Sequence, residues 1–350
     1  MRYARRALAR DADAALLEQS AISPPGSTNA VGTNDSDEES KWTPRIKLED
    51  LTPKEVHRRT GFRDLKHLLS YNAIVYGGDL NEMAKTATYL TFLEELMLLH
   101  EFTYGRVHHR WEDWEHLYGA NKKTSRKALQ YRLRKELDCR ERWPMYASYA
   151  EDVKFRNESW NSHFDPADGP RPVMHDTTNI ELPQPSSGDM NHALHNQYYN
   201  MCCAKAGVAA QLCNWIFGLP LVTGHCDDDQ QIRFTKILEL QKLFAENDST
   251  SLEAFLNIFD KGYHILLESK RNGQRCIQPD KVDNLSSGES VLRTACVAVT
   301  RSGNERAVKR SKISWFVNVG MKLKLGDVDL LCDIWEAWTF RANFMYEDFQ

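Results

Sequence analysis

The sequence has little that would mark it as a fibrous, membrane-spanning or strongly charged protein. Its 350 residues include 18 glycines and 12 prolines, too few for collagen or most low-complexity classes. Lys and Arg total 45 and Asp and Glu total 49, so the net charge of −4 excludes a uniform polycation. The longest apolar stretch, 206–224, is interrupted by polar residues, Gly and Pro, and we expect two adjacent strands there rather than a membrane span.

The eight cysteines form no C-x-x-C pair. Scattered thiols of this kind are typical of an intracellular protein in a reducing compartment. A zinc site can be drawn from Cys213, Cys226, His192 and His195, but the spacings match no zinc module. Buried free thiols are therefore the preferred interpretation.

Composition divides the chain into three regions. Residues 1–44 end in a segment rich in Ser, Asn, Asp, Pro and Gly, and we predict a disordered tail. Residues 45–150 have apolar residues at helical spacing, which predicts a helical domain. Over 151–350, strand-like and helix-like segments alternate, which predicts a mixed α/β layer fold.

Two features of the helical region carry specific expectations. Leucines and a methionine recur at helical spacing around residues 90–98, and we expect Glu94 and Glu95 to face away from that apolar side. Further along, a helix over 111–118 is followed by a turn signal at 119–121 and by a basic segment, 122–142. That segment holds nine basic and three acidic residues, a net charge of +6, with an apolar stripe of Leu129, Leu133 and Leu137.

A helix, a short turn and a basic helix form the shape of a helix-turn-helix DNA reader. In that interpretation the basic residues of the first helical turns contact phosphate: Lys122, Lys123, Arg126 and Lys127. An ordinary helix with a solvated basic face explains the same pattern, and on pattern alone it is slightly preferred.

Two predicted strands of the α/β region run into an aspartate. Residues 172–175 lead into Asp176, and residues 254–259 lead into Asp260. Between them, 206–215 and 216–226 are predicted strands, and three acids at 227–229 stand where a helix should begin. Because sites in mixed α/β sheets gather at strand ends, both aspartates are candidate site residues. As an alternative, each is only an acid that starts a turn.

A third acid, Glu305, lies in a predicted helix over 302–312, with Lys309 and Lys312 on the same face. Phosphoryl transfer by two metal ions needs several carboxylate oxygens that converge on the ions, and nearby bases suit a phosphate substrate. The same segment also fits a capping box, in which Glu305 only binds an amide at the start of the helix.

The segments HDTTN (175–179), FDKGY (259–263) and SGNERAVKRSK (302–312) together resemble the DDE transposases of the eukaryotic Harbinger group and their bacterial insertion-sequence relatives. The resemblance covers roughly residues 90–350. It implies a catalytic domain over 151–350 with an RNase H-like mixed sheet flanked by helices, preceded by a helical, helix-turn-helix-like domain over 45–150. The first segment departs from the family pattern, because Thr177 stands where Gly is commoner.

The resemblance also implies an activity and a site. Asp176, Asp260 and Glu305 would be the catalytic triad that holds Mg²⁺ or Mn²⁺, as two ions, with Asp227 as a possible accessory acid. The implied enzyme is a nuclear, metal-dependent DNA endonuclease and transposase, which hydrolyses a phosphodiester and transfers the 3′-OH end to target DNA. The implied partners are double-stranded DNA, a Myb-like DNA-binding protein and further copies of the chain.

Two alternatives stay open at this point. One is a domesticated or inactive transposase-derived protein that binds only DNA or a partner. The other is a metal-dependent nuclease that cuts without strand transfer. Residues 151–350 carry 21 basic and 27 acidic side chains, a net charge of −6 that opposes DNA binding by this region alone.

Overall fold

The structure is a computed structural model that describes residues 48–104, 111–147, 170–213, 215–247, 255–260, 262–279, 288–311 and 328–345. The predicted tail, 1–44, lies outside the described residues. The chain divides into two compact units, residues 1–142 with 345–350 and residues 143–344.

The described part of the first unit is built from helices. They are α1 (Pro53–Thr60), α2 (Leu65–Val75), α3 (Leu80–Ala84), α4 (Phe92–Tyr104), α5 (Trp111–Tyr118) and α6 (Lys122–Arg142). A capping box of Thr52 and Glu55 starts α1, and Gly61 ends it in the left-handed region at φ 80°. Helix α4 packs against α1 and α6, and α5 also packs against α6. The predicted pair of helices around the turn at 119–121 is therefore present.

The core of this unit contains one residue for which the sequence-based expectation is wrong. Leu129, Leu133 and Leu137 are buried, as the apolar stripe predicts. Glu95, however, is fully buried rather than turned to solvent. Its carboxylate accepts hydrogen bonds from the amides of Ala87 and Thr88 and from the Arg132 guanidinium. These partners satisfy the charge, so burial outweighs the outward position that periodicity predicts.

The second unit is built around a seven-stranded mixed sheet. Its strands are β1 (Arg171–Glu181), β2 (His195–Asn196), β3 (Met201–Gln211), β4 (Ile216–Gly218), β5 (Val222–Thr223), β6 (Phe255–Ile258) and β7 (Arg275–Ile277). The main order is β2-β3-β1-β6-β7, and β4 and β5 also pair with β3. All strands that pair with β3 are antiparallel to it, whereas β1, β6 and β7 are parallel to one another.

Helices flank this sheet. They are α7 (Gly188–Leu194), α8 (Asp228–Phe234), α9 (Ile237–Asn247), α10 (Leu266–Arg271), α11 (Gly288–Ser311) and α12 (Val328–Met345). Almost every residue of β3 is buried, which requires cover on both faces of the sheet. Helix α11 packs against β1 and β3. A mixed α/β sheet flanked by helices is therefore confirmed at that level of description.

Strand boundaries differ from the predictions in three places. Strand β1 does not end at Asp176 but continues to Glu181, because β3 pairs with it along that whole stretch and Glu181 lies opposite Cys203. The predicted strand over 206–215 is β3, which begins five residues earlier, at Met201. The predicted strand over 216–226 is two short strands, β4 and β5.

Candidate active site

Asp176 lies in the middle of β1, opposite Val208 of β3. It is half-buried, and its Oδ1 atom accepts a 2.8 Å hydrogen bond from the amide of Thr177. The backbone around it is extended and paired, so the carboxylate is attached to a rigid part of the sheet. A rigid attachment suits a residue that must hold a ligand in one place.

Asp260 follows β6, which is the parallel neighbour of β1. The two strands pair with a constant offset of 84 positions, from Arg171 opposite Phe255 to Met174 opposite Ile258. The pairing ends at Met174 and Ile258, but Asp260 is also 84 positions after Asp176, so the same register carried forward would bring the two aspartates to neighbouring positions. Residues at one level of parallel strands project from the same face of a sheet. The register extrapolated from these strands therefore predicts that two of the three predicted acids lie close together.

The residue before each aspartate is a buried ring, and the two rings stack. His175 and Phe259 have ring centroids 4.9 Å apart and an interplanar angle of 20°. The Nε2 atom of His175 also donates a 2.8 Å hydrogen bond to the Oδ1 atom of Asn257, on β6. Complete burial, which disfavours the charged ring, lowers the pKa of His175 to about 4, so the ring is neutral at pH 7.

The pKa of Tyr263 reflects the negative charge of several nearby aspartates. Its hydroxyl is buried and has no hydrogen-bond partner within the described part of the chain. Burial is the main reason that its pKa lies well above the usual value, and nearby negative charges raise it further. Those charges belong, in decreasing order of effect, to Asp228, Asp176, Asp229 and Asp260.

Sequence analysis missed Asp228 and Lys205 as residues of this region. The Asp228 carboxylate accepts 2.9 Å hydrogen bonds from the Lys205 ammonium and the Thr177 hydroxyl. Lys205 keeps only 10% of its side chain exposed. The run of acids at 227–229 signals the region, but only the hydrogen bonds to Thr177 and Lys205 show that Asp228 contacts the sheet.

The other two acids of that run have local roles. Asp227, the predicted accessory acid, is exposed and caps α8 through a reciprocal capping box with Gln230. The predicted helix start at this run is therefore confirmed. Asp229 accepts two hydrogen bonds, of 2.9 and 3.0 Å, from the amide of His264. Burial raises the pKa of Asp229 despite these bonds.

Glu305 is exposed on α11, within its last two turns. The helix begins at Gly288, so the capping-box interpretation of Glu305 is wrong: a residue this far along the helix does not bind the amides of its first turn. Lys309 is exposed one turn later, and Lys312 lies outside the described residues.

The donor set fits a hard divalent cation in its chemistry, because aspartate oxygens are the ligands that Mg²⁺ and Mn²⁺ prefer. Within the described ranges, no three or more Asp, Glu, His or Cys side chains already converge as metal ligands, and this includes the zinc set drawn from the sequence. Asp176, Asp260 and Glu305 therefore do not converge as a set of three ligands in this structure.

The basic residues of α6 that are predicted to bind DNA lie on the surface. Lys122, Lys123 and Lys127 are exposed and Arg126 is half-buried, whereas Arg132 of the same helix is inside the core. The turn before the helix is fixed by Asn121, whose Oδ1 atom accepts a 3.0 Å hydrogen bond from the amide of Thr124. The positive charge of α6 is therefore concentrated at its amino end.

Comparisons with protein-family models, curated proteins and solved structures found no match to this chain. Among the helices described here, none is both long and apolar enough to span a membrane.

Proposed function

We propose that this chain is a DDE-type, metal-dependent DNA nuclease and transposase of the Harbinger kind. The observation that carries the proposal is that Asp176 on β1 and Asp260, two residues after the end of β6, continue the 84-position register of these adjacent parallel strands. A mixed sheet flanked by helices, with one acid on its central strand and another just after the parallel neighbour, supports the RNase H-like arrangement that the sequence resemblance implies.

In this proposal Asp176 and Asp260 hold Mg²⁺ or Mn²⁺, and Glu305 completes the set from α11. A bound pair of ions would activate the attacking oxygen and stabilise the leaving oxygen of a DNA phosphodiester. Asp176 is suited to its part because a short side chain on a paired strand keeps its oxygens in place. Lys309 and Lys312 would attract the DNA phosphates beside the acids.

The helical unit would supply DNA affinity through Lys122, Lys123, Arg126 and Lys127. Since residues 151–350 have a net charge of −6, this contribution is needed to hold a polyanion at the acids. A Myb-like DNA-binding partner and self-association, which would bring two DNA ends together, belong to the same proposal. A nuclear location, where a DNA substrate of this kind lies, belongs to the same proposal.

A nicking assay tests the proposal on DNA that carries the sequences flanking the gene, with Mg²⁺ present. We expect the wild-type chain to nick this DNA and to join the free 3′ ends to a target plasmid, and Asp260→Asn to do neither. Asp189→Asn, which removes an exposed charge from α7, is the matched control and should retain activity. Nicking that persists in Asp260→Asn would end the catalytic assignment.

Two other outcomes favour the alternatives. Nicking without joining indicates a nuclease that releases its cut ends. DNA binding without any uptake of Mn²⁺ in calorimetry indicates a transposase-derived protein that only binds DNA, an outcome for which the separation of Glu305 from the two aspartates gives a structural reason.

A further inference from the structure

A layer of buried polar side chains includes His175, the residue before Asp176. The amides of Asn257 and Gln241 form a reciprocal pair, with hydrogen bonds of 2.7 and 2.9 Å. His175 donates to the same oxygen of Asn257, and Gln274 donates 3.3 Å to the Oε1 atom of Gln241. All four side chains are at least 97% buried. The layer joins β1, β6, α9 and the residue before β7.

This layer fixes the position of the His175 ring. The ring is held at its edge by Asn257 and on its face by Phe259, which is itself fully buried against Tyr263 with ring centroids 5.3 Å apart. Hydrogen-bonded and stacked rings in a close-packed interior have little freedom to shift. The stack therefore fixes the distance between β1 and the segment that follows β6.

We propose that the His175–Phe259 stack sets the separation of the Asp176 and Asp260 carboxylates and thereby the affinity of this pair for a divalent cation. The inference rests on the proposed function, since it assumes that the two aspartates bind the cation. His175 and Phe259 are positioning residues: each precedes one aspartate, so any shift of its ring displaces the backbone to which that carboxylate is attached.

The proposal is specific because β6 offers a matched control. Phe255 and Phe259 are both fully buried aromatic residues, four positions apart along the same segment. Phe255 packs on Tyr146 and Phe244, away from the aspartates, with ring centroids 5.1 and 6.0 Å distant. Substitution by Leu removes a similar aromatic volume at either position, but only at Phe259 does it remove the stack.

The experiment measures Mn²⁺ affinity by titration calorimetry in the full-length chain, without DNA, together with chemical unfolding. We expect Phe259→Leu to weaken Mn²⁺ binding about tenfold, as loss of an orienting partner does in other metal sites. Phe255→Leu should reduce stability by a comparable amount and leave Mn²⁺ affinity unchanged. Equal affinity in both variants and the wild type would overturn the positioning role while leaving the metal site in place.

A second variant covers the case in which Phe259→Leu does not fold. His175→Gln keeps a donor towards Asn257 and removes the ring, so it should weaken Mn²⁺ binding to a similar extent. In the double variant the loss should be no larger than in either single one, because one stack is removed only once. Additive losses would show that the stack is not the cause of the weaker binding.

Two outcomes distinguish failure of this inference from failure of the proposed function. Absence of Mn²⁺ binding in the wild type overturns both. Binding that is lost in Asp176→Asn but unaffected by the ring variants overturns the inference alone.

Discussion

Arg132 and Glu95 form an ion pair in which neither side chain is exposed to solvent. The Arg132 Nε atom lies 2.9 Å from the Glu95 Oε2 atom. The remaining guanidinium donors bind the Tyr76 hydroxyl and the backbone carbonyls of Met83 and Lys85, at 2.7 to 2.9 Å. Arg132 belongs to a helix whose amino-terminal bases lie on the surface, so one helix serves both the core of its unit and a charged surface.

Removal of one member of this pair should destabilise the protein strongly. Arg132→Met leaves the Glu95 charge buried, and we expect the free energy of unfolding to fall by about 3–5 kcal/mol. Arg134→Met is the control, because Arg134 forms an exposed pair with Asp138 on the same helix and its loss should cost about 0.3–0.5 kcal/mol. Urea denaturation followed by circular dichroism measures both changes, and equal losses would show that the buried pair adds nothing.

His175 predicts a pH dependence of stability. Its pKa is about 4 in the folded chain and 6.5 in the unfolded chain, so the unfolded state binds the proton more readily. The contribution of this group is complete above pH 6.5 and is lost as the pH falls from 6.5 towards 4. Between pH 7 and 5 it should remove about 2 kcal/mol. Unfolding in EDTA measures this, and His175→Gln should flatten the curve; an equal slope in both chains contradicts the assignment.

The amino end of α6 predicts the salt dependence of DNA binding. Replacement of Lys122, Lys123, Arg126 and Lys127 by Ala should lower the slope of log affinity against log salt by about 0.9 for each phosphate that these side chains neutralise. The control replaces four exposed basic residues elsewhere in the same unit by Ala: Lys54, Arg58, Arg63 and Lys66. A slope that changes equally in both quadruple variants would show that the net charge, rather than this surface, governs binding.

Gly218 of β4 predicts a packing constraint. A Cβ atom at this position would meet the Oγ1, Cγ2 and Cβ atoms of Thr339 on α12, and the last two lie only 2.8 and 2.9 Å away. Gly218→Ala should therefore destabilise the unit by about 1–3 kcal/mol. Gly188→Ala, where nothing lies within 4 Å of the new atom, is the control. A thermal unfolding midpoint that falls equally in both variants would contradict the close approach.

Sequence patterns predict the elements of this chain better than they predict how those elements pair. The capping acid of α8 and the leucine stripe of α6 follow from local rules and are found in the structure. The predicted end of β1 is wrong, because Asp176 has little intrinsic preference for a strand and only its pairing with β3 keeps the chain extended there. The partnership of Asp228 with Lys205 depends on contacts between elements 23 positions apart, which no local pattern reveals.

Thr177 shows how a departure from the family pattern is accommodated. The resemblance places Gly more often at this position, yet Thr177 lies in extended β1 and is not among the residues with positive φ. Its hydroxyl donates to Asp228 and so connects α8 to the sheet. The extra side chain therefore introduces no backbone strain and makes one additional contact.

The 84-position offset between β1 and β6 has a consequence for synthesis of the protein. A chain that emerges from the ribosome presents Asp176 long before the residues of its parallel neighbour have been translated, and contacts between such distant segments form slowly. A product that terminates before β6 keeps the first aspartate and can never acquire the second. If the chain is the proposed nuclease, premature stop codons ahead of β6 should therefore yield fragments that are harmless to the genome.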